Sequence, residues 1–468
     1  MDIVIGIFQA VFDTIISFPP FLMAILVALG YTLMKKTVWE AIAGGIKAAV
    51  GYMILQVGAK GMITSFAPIL QGLMDRFKIN AAVIDSNIGF AAANQAIQDI
   101  GQSLSSTMFV LLIGFAMNIS LVMLIKITKI RTVYTTGHIM VKQAGFITWM
   151  IFYALPDFQN TIGIIMIGLL IGVYWSVFSN LTVEATQRLT DGERVFAVGH
   201  SQMFGIWLTD KFAHKFGDAE DSVESVKLPG VLSVLSDNIV GSSVLMLIMF
   251  GSILAIVGSD AMNQFDPNVA KSSYTSYVIQ KSLSFTVNFI ILQTGVKMFV
   301  AEITESFHGI SEKLLKGAVP AVDCAATYGF ASSNTILLGF VCGFLGQLIA
   351  ILGLLVFKSP ILMLTGFVPV FFDNATLAVY ANKRGGRKAA MGIPFISGIM
   401  QALLGAVGVM LYGLAKYGGW YGNLDLSTVW LGIGGIVKSF GIFGVILSLI
   451  LMLLIPQLQY KRNKENYF

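Results

Sequence analysis

Four short stretches place polar or titratable side chains inside otherwise apolar sequence. TTGHIMVKQAG, residues 135 to 145, carries His138, Lys142 and Gln143, and VGHSQMFG, 198 to 205, repeats the Gly-His pair and follows His200 with Ser201 and Gln202. EITESFHG, 302 to 309, sets Glu302 and Glu305 one helical turn apart, and AVDCAATYGFAS, 321 to 332, has Asp323 as its one charge. A lysine at the centre of a membrane helix costs about 2.5 to 3.5 kcal/mol on insertion scales, so such a residue faces a partner or a cavity. A buried carboxylate likewise requires a cation, backbone N–H groups or a solute hydroxyl. The blander reading of Lys142 is a snorkelling or structurally paired lysine near a helix end, and of His138 a packed core histidine. Two Gly-His pairs and a lone Asp favour convergence instead. Asp, His, Gln and Ser among small residues offer donors and acceptors together, which suits a polyhydroxylated solute.

The elements that must position these groups are membrane spans. Of 468 residues 56 % are hydrophobic and 12 % charged, and the mean hydropathy is +0.79, outside the soluble range. Apolar runs such as TIGIIMIGLLIGVYWSVF recur from end to end, so the reading is an all-α polytopic membrane protein. Eleven spans are predicted, at 20 to 35, 38 to 58, 104 to 125, 132 to 155, 161 to 180, 239 to 258, 282 to 304, 333 to 357, 361 to 382, 389 to 416 and 430 to 456. Segments 59 to 103, 181 to 235 and 305 to 332 fit no span. The first and last read as re-entrant, and re-entrant backbone is tolerated only where protein or a watery cavity surrounds it. Each is preceded by two spans and followed by three, with the last span left over and with opposite starting sides, which is the pattern of an inverted repeat around a midplane site. Lys35, Lys36, Lys126, Lys129, Arg131, the run KRGGRK at 383 to 388 and the tail KRNK fall on one side, which the positive-inside rule makes cytoplasmic. MDIVIGIFQAVFDTIISF, at the start, spaces Gln9, Asp13 and Ser17 as an interfacial amphipathic helix.

Several chemistries are excluded. There is no HExxH among the four histidines, GHSQM ends in Met203 and so misses the G-x-S-x-G elbow, and Cys324 and Cys342 lack any metal-ligand spacing. No metal, cofactor or nucleic acid is expected. An ion-coupled carrier remains open from the residues alone, because an isolated Asp with two His could relay protons.

The chain resembles the ascorbate-type enzyme IIC, the membrane sugar-transporting subunit of the phosphoenolpyruvate-dependent phosphotransferase system. The resemblance rests on TGHIM followed by QAG, VGHSQ, KLPGVLSVLSDNIV (227 to 240), GVKMFVAEITESFHGIS (295 to 311), GAVPAVDCAA (317 to 326) and GFVPVFFDNATLAVYAN (366 to 382). It implies a homodimer in the bacterial cytoplasmic membrane, with a V-shaped scaffold (1 to 58 and 236 to 304) and a sugar-holding core (59 to 235 and 305 to 468). It also implies an elevator movement that delivers sugar to cytoplasmic IIB and IIA subunits. His138, His200 and Asp323 match the family's sugar-contacting positions, and Asp85, Ser86 and Asn87 fall where the outer re-entrant segment approaches the sugar. Lys142, Gln143, Ser201, Gln202, Glu302 and Glu305 complete the expected binding set. Lys142 and Ser201 depart from the glutamines of the ascorbate carriers, so a related acidic or differently sized sugar is admitted, with a galactitol- or pentitol-type carrier the alternative within the family. No phosphoryl-transfer residue is expected in this chain, and Lys383, Arg384, Arg387 and Lys388 are expected to steer the phosphorylated partner.

Overall fold

The computed structural model describes residues 19–77, 80–192, 196–225, 237–315 and 318–467. The N-terminal segment read as an interfacial helix, and residues 227–236 of the block KLPGVLSVLSDNIV, lie outside the described residues. In chain order the main elements begin with α1 (Pro19–Leu33), α2 (Val38–Phe77), β1 (Asn80–Ile84), α3 (Ser86–Asp99) and α4 (Ser105–Met123). There follow β2 (Thr132–Tyr134), α5 (Gly137–Ala154), α6 (Thr161–Leu181), α7 (Val183–Leu189), β3 (Ala197–Val198) and α8 (Met203–Phe212). The second part holds α9 (Asn238–Val257), α10 (Tyr274–Leu314), β4 (Val319–Val322), α11 (Ser333–Val356), β5 (Ile361–Thr365), α12 (Asn374–Leu411), β6 (Gly419–Trp420) and α13 (Val429–Arg462). Among the described residues seven helical stretches are long and apolar enough to cross a membrane, so the chain is a multi-pass membrane protein.

Two of those stretches fold back on themselves. In α12 the Gln401 amide donates to Asp373 Oδ2 at 3.1 Å, although 28 residues of unbroken helix would separate them by about 42 Å. The reversal falls at Gly386, with φ 62° and ψ −157°, a conformation that side chains beyond hydrogen rarely adopt. Gly441 (φ 60°) breaks α13 in the same way, and a Cβ on Gly444 would lie 2.5 Å from the Ile436 carbonyl of the other arm.

A separate layer is built on α2 and α10, each of about 40 residues and so about 60 Å long. They run antiparallel, and at Gly58 and Gly295 the facing backbone comes so close that a Cβ would strike it. Tyr52 meets Phe299 edge-on with centroids 5.4 Å apart, and α9 joins α10 through Ser243 to Thr286 at 3.1 Å. Helix α2 continues unbroken past residue 58 to Phe77, and α10 past 304 to Leu314, so the non-helical parts of both expected re-entrant segments start later than their hydropathy suggested. Lys60 and Pro68 lower the hydropathy of α2 without ending it, although Pro68 removes one backbone donor.

The six strands form two parallel three-stranded sheets, ordered β5-β1-β6 and β2-β4-β3. Asn80 pairs with Ile361 and Ile84 with Thr365 in one, and Thr132 with Val319 and Ala197 with Ala321 in the other. In each sheet the central strand comes from one part of the chain and both flanking strands from the other. These strands pair backbone groups that would otherwise stay unsatisfied in a waterless interior. Each central strand ends on a carboxylate, Asp85 after β1 and Asp323 after β4.

The loop between α9 and α10 is locked by Asp266, which is 3 % exposed. Its carboxylate accepts from Lys281 Nζ at 2.6 Å, Tyr277 Oη at 3.1 Å and Asn268 N at 3.0 Å. Burial opposes its charge, but these donors outweigh burial and hold the carboxyl below its usual range. A depressed carboxylate stabilises above its unfolded pKa, about 3.9, and that stability is lost as pH falls through the lower folded value. Asp266→Asn should therefore cost about 1 to 3 kcal/mol at pH 7 in thermal unfolding of the detergent-solubilised protein. The difference from wild type should shrink once the pH falls below about 4.

Candidate functional site

The sheet β2-β4-β3 aims three side chains at one point. Thr135 N and Oγ1 bind the Ala321 carbonyl at 3.0 and 2.9 Å, which turns the chain from β2 into the first turn of α5 and presents His138. Gly199 N donates to Val322 O at 2.7 Å and so sets His200 just beyond β3. Asp323 leaves the central strand between them. His138 Nε2 lies 3.1 Å from Asp323 Oδ2, and the two imidazoles stand edge-on with centroids 6.4 Å apart. Asp323 Oδ1 also accepts from Ala325 N at 2.8 Å, and is thereby fixed as the cap of the following turn. Gln202 accepts from His200 Nδ1, which leaves Nε2 of that ring as an acceptor. One donor atom from each of His138, His200 and Asp323 falls within 4.8 Å of the others, a spacing that a metal ion or a solute with vicinal hydroxyls could bridge.

A second layer fixes the first. Gln143, fully buried, donates to Ser201 Oγ at 2.9 Å and accepts from Trp175 Nε1 at 2.6 Å, so both ends of its amide are used. Ser201 and Gln202 are also fully buried; Gln202 reaches Thr376 Oγ1 at 3.4 Å, and Tyr421 Oη stands 3.4 Å from Ser201 Oγ. Tyr134 donates to His200 O at 3.1 Å. Asp425 holds the same turn, donating its backbone N–H to Ser201 O at 2.9 Å and accepting from Phe204 N at 3.1 Å and from Tyr174 at 2.8 Å.

Asp85, Ser86 and Asn87 come from the other sheet. Asp85 Oδ1 caps α3 through Asn87 N and Ile88 N at 2.9 and 3.4 Å, and Oδ2 accepts from Val368 N at 3.1 Å. Both its oxygens therefore serve the backbone. Ser86 Oγ and Asn87 Nδ2 are buried without a hydrogen-bond partner among the described residues. Asn87 Oδ1 accepts from Lys142 Nζ at 3.0 Å. Lys142 is 6 % exposed, and among the described residues its ammonium makes no ion pair, although Asp85 and Asp323 act on its charge through space. It neither snorkels nor pairs structurally with a carboxylate.

Glu302 and Glu305 do not join this cluster. Tyr31 donates to both at 2.6 and 3.0 Å, Lys36 pairs with Glu305, and Lys47 approaches Glu302 at 3.5 Å, all between α1, α2 and α10. The basic run 383 to 388 is also largely balanced: Lys383 pairs with Asp191 at 2.8 Å, Arg387 with Asp221 at 3.3 Å, and Arg384 approaches Asp210 at 3.6 Å. Tyr134, Trp175, Asp373 and Asp425 were not singled out from sequence. The cue that found Asp323, a lone carboxylate in an apolar stretch, applies equally to Asp373 and Asp425, which are both fully buried.

With this geometry in view, the chain belongs to the EIIC-GAT family, the PTS system sugar-specific permease component, whose model matches residues 14–426. It is 29 % identical over 434 residues to the ascorbate-specific PTS system EIIC component of Mycoplasma pneumoniae, a match covering 84 % of this chain and 65 % of that protein's length.

The two layers should separate in mutants. Asp323→Asn keeps the shape of the turn and should cut sugar affinity about 10- to 100-fold with little change in melting temperature, the scale of a lost charge-assisted hydrogen bond. Gln143→Leu should lower melting temperature and affinity together, because it orphans the buried Trp175 and Ser201 groups. Binding isotherms and thermal melts on both variants make the comparison.

Proposed function

We propose that the chain is the IIC subunit that carries an anionic, ascorbate-like sugar across a bacterial cytoplasmic membrane and hands it to a cytoplasmic IIB subunit for phosphorylation. Lys142 carries this reading. An ammonium has three donors, and among the described residues one is occupied, by the neutral carbonyl of Asn87. A buried charge of this kind is stabilised when an anion arrives. L-ascorbate is such an anion at neutral pH, because its enediol is acidic, and Lys142 supports that anionic class as a whole, ascorbate or an acidic relative, since the ascorbate carriers that the chain resembles have glutamine at this position. The ring hydroxyls would meet Asp323 and His138 as acceptor and donor, His200 Nε2 as acceptor, and the unpaired Ser86 Oγ and Asn87 Nδ2. The ascorbate specificity of the Mycoplasma pneumoniae relative supports the same assignment.

Transport follows as movement of a core against a scaffold. The scaffold through which two copies associate would extend beyond the expected bounds 1–58 and 236–304 to the ends of α2 at Phe77 and of α10 at Leu314, and the rest of the expected 59–235 and 305–468 would be the moving core. The exchange of strands between the two parts of the chain supports an inverted repeat, and it ties the segments of the site to one another while α1, α2, α9 and α10 pack as a separate layer. The phosphoryl donor would be a IIB subunit recharged by IIA. Cys324 and Cys342 are both free and buried, where a phosphocysteine could not be solvated.

Two outcomes are expected. Lys142→Gln should weaken binding of L-ascorbate by about 1 to 3 kcal/mol while melting temperature holds, and unchanged affinity with a lowered melting temperature would make Lys142 a structural residue. In vesicles containing the purified chain, sugar phosphate should accumulate only when the cytosolic phosphotransferase proteins and phosphoenolpyruvate are supplied. Equal accumulation of free sugar under a proton gradient without them would identify an ion-coupled carrier instead.

A further inference from the structure

A second cavity, of about 870 Å³, opens away from the sugar-site cluster, between α6, α7, α8 and the folded-back arms of α13. Its size is within the ~300 to 1,000 Å³ typical of ligand clefts. The walls are apolar: Phe178 and Leu181 are buried at its base, Phe204 and Trp207 stack with centroids 5.8 Å apart, and Ile455 and Leu458 close one side. Leu458 is 57 % exposed and continues a stripe with Leu454, Leu451 and Ile450 along the outer face of α13, so the cleft communicates sideways with the face that α13 turns to lipid.

Four charged side chains line it, and they divide into two kinds. Glu184 is compensated, accepting from Arg131 at 2.9 Å and from Gln459 at 3.0 Å, and Arg188 is bound to both oxygens of Asp210. Lys211 and Arg462 are exposed and have no carboxylate partner among the described residues. The lining therefore presents two uncompensated positive charges beside an apolar slot. Arg462 ends α13 at the basic tail, and the same end of the molecule gathers Lys129, Arg131, Lys383 and Arg384. An excess of Lys and Arg marks the cytoplasmic boundary of the membrane, and a tryptophan at headgroup level suits that depth.

We infer that this cleft is a binding site for an anionic phospholipid, with an acyl chain along Phe204, Trp207 and Leu458 and the phosphate between Lys211 and Arg462. A soluble anion would leave the apolar walls unfilled, and a zwitterionic lipid would bring a second cation to a mouth already carrying two. The cleft is distinct from the His138–His200–Asp323 cluster: of its lining residues Phe204 reaches the second layer, through its backbone N–H on Asp425, whereas Lys211 and Arg462 belong to neither.

The test is native mass spectrometry of the full chain in detergent with phosphatidylglycerol, with phosphatidylcholine of the same acyl chains, and with inorganic phosphate as the headgroup alone. Phosphatidylglycerol should be retained about fivefold or more over phosphatidylcholine, and inorganic phosphate should neither bind nor displace it. Lys211→Gln with Arg462→Gln should abolish the preference, whereas Lys211→Arg with Arg462→Lys keeps it, and both variants should still bind sugar as wild type because neither residue touches that site. Equal retention of the two lipids, a preference that survives the double glutamine variant, or displacement by free phosphate would overturn the assignment.

Discussion

Non-helical backbone inside a membrane protein must find every hydrogen bond within the protein, and the site of this chain is built on the solution to that constraint. Six strands of two to five residues could not satisfy themselves locally, and no helix can hold three side chains from distant segments at one point. Parallel pairing across the two parts of the chain achieves both. Thr132 to Tyr134 and Ala197 to Val198 flank Val319 to Val322, and each strand releases its next residues, His138, His200 and Asp323, at the same end. In the other sheet the corresponding carboxylate, Asp85, is spent on backbone N–H groups of α3 and of Val368. The two sheets are alike in construction and unlike in chemistry. One carboxylate faces imidazoles and the other seals a helix end.

That difference concentrates charge where a solute can use it. Buried polar groups are costly unless they are paired, and the second layer pairs nearly all of them, from Gln143 with Trp175 and Ser201 to Asp425 with Tyr174 and Phe204. Among the described residues Lys142, Ser86 Oγ and Asn87 Nδ2 keep hydrogen-bonding capacity that is not used up. Glycines at the helix reversals, Gly386 and Gly441, allow the two folded-back helices to bring Asp373 and the 423 to 428 turn against this layer, with Leu424 N donating to Asp373 at 2.7 Å.

The membrane class was legible in the sequence, and so was the convergence of polar segments, because an isolated His, Lys or Asp in apolar surroundings is expensive and therefore conspicuous. His138, His200 and Asp323 met as expected, although they lie up to 185 residues apart in the chain. Glu302 and Glu305 carried the same kind of signal but belong to α10, where Tyr31, Lys36 and Lys47 offer partners that spacing alone could not reveal. The strands were invisible for a physical reason: two to five residues hold too little periodicity to distinguish a strand from the start of an apolar helix. The full lengths of α2 and α10 were hidden by Lys60, Pro68 and the polar residues of α10, which hydropathy counts against a span but a helix tolerates. Gln143, Ser201 and Gln202 were expected in the binding set, and their side chains are held by Trp175, Tyr421 and Thr376, partners that spacing alone could not reveal.

The central claim is that an anion is what the buried ammonium of Lys142 awaits. Calorimetric titration of the wild-type protein with two methyl ethers of the proposed enediol sugar tests it most directly. The 3-O-methyl ether is neutral at pH 7, and the 2-O-methyl ether keeps the acidic hydroxyl and its negative charge at nearly the same bulk. The account predicts that the neutral ether binds at least about tenfold more weakly than the charged one, the worth of one charge-assisted hydrogen bond. Equal affinity for the two ethers would contradict it.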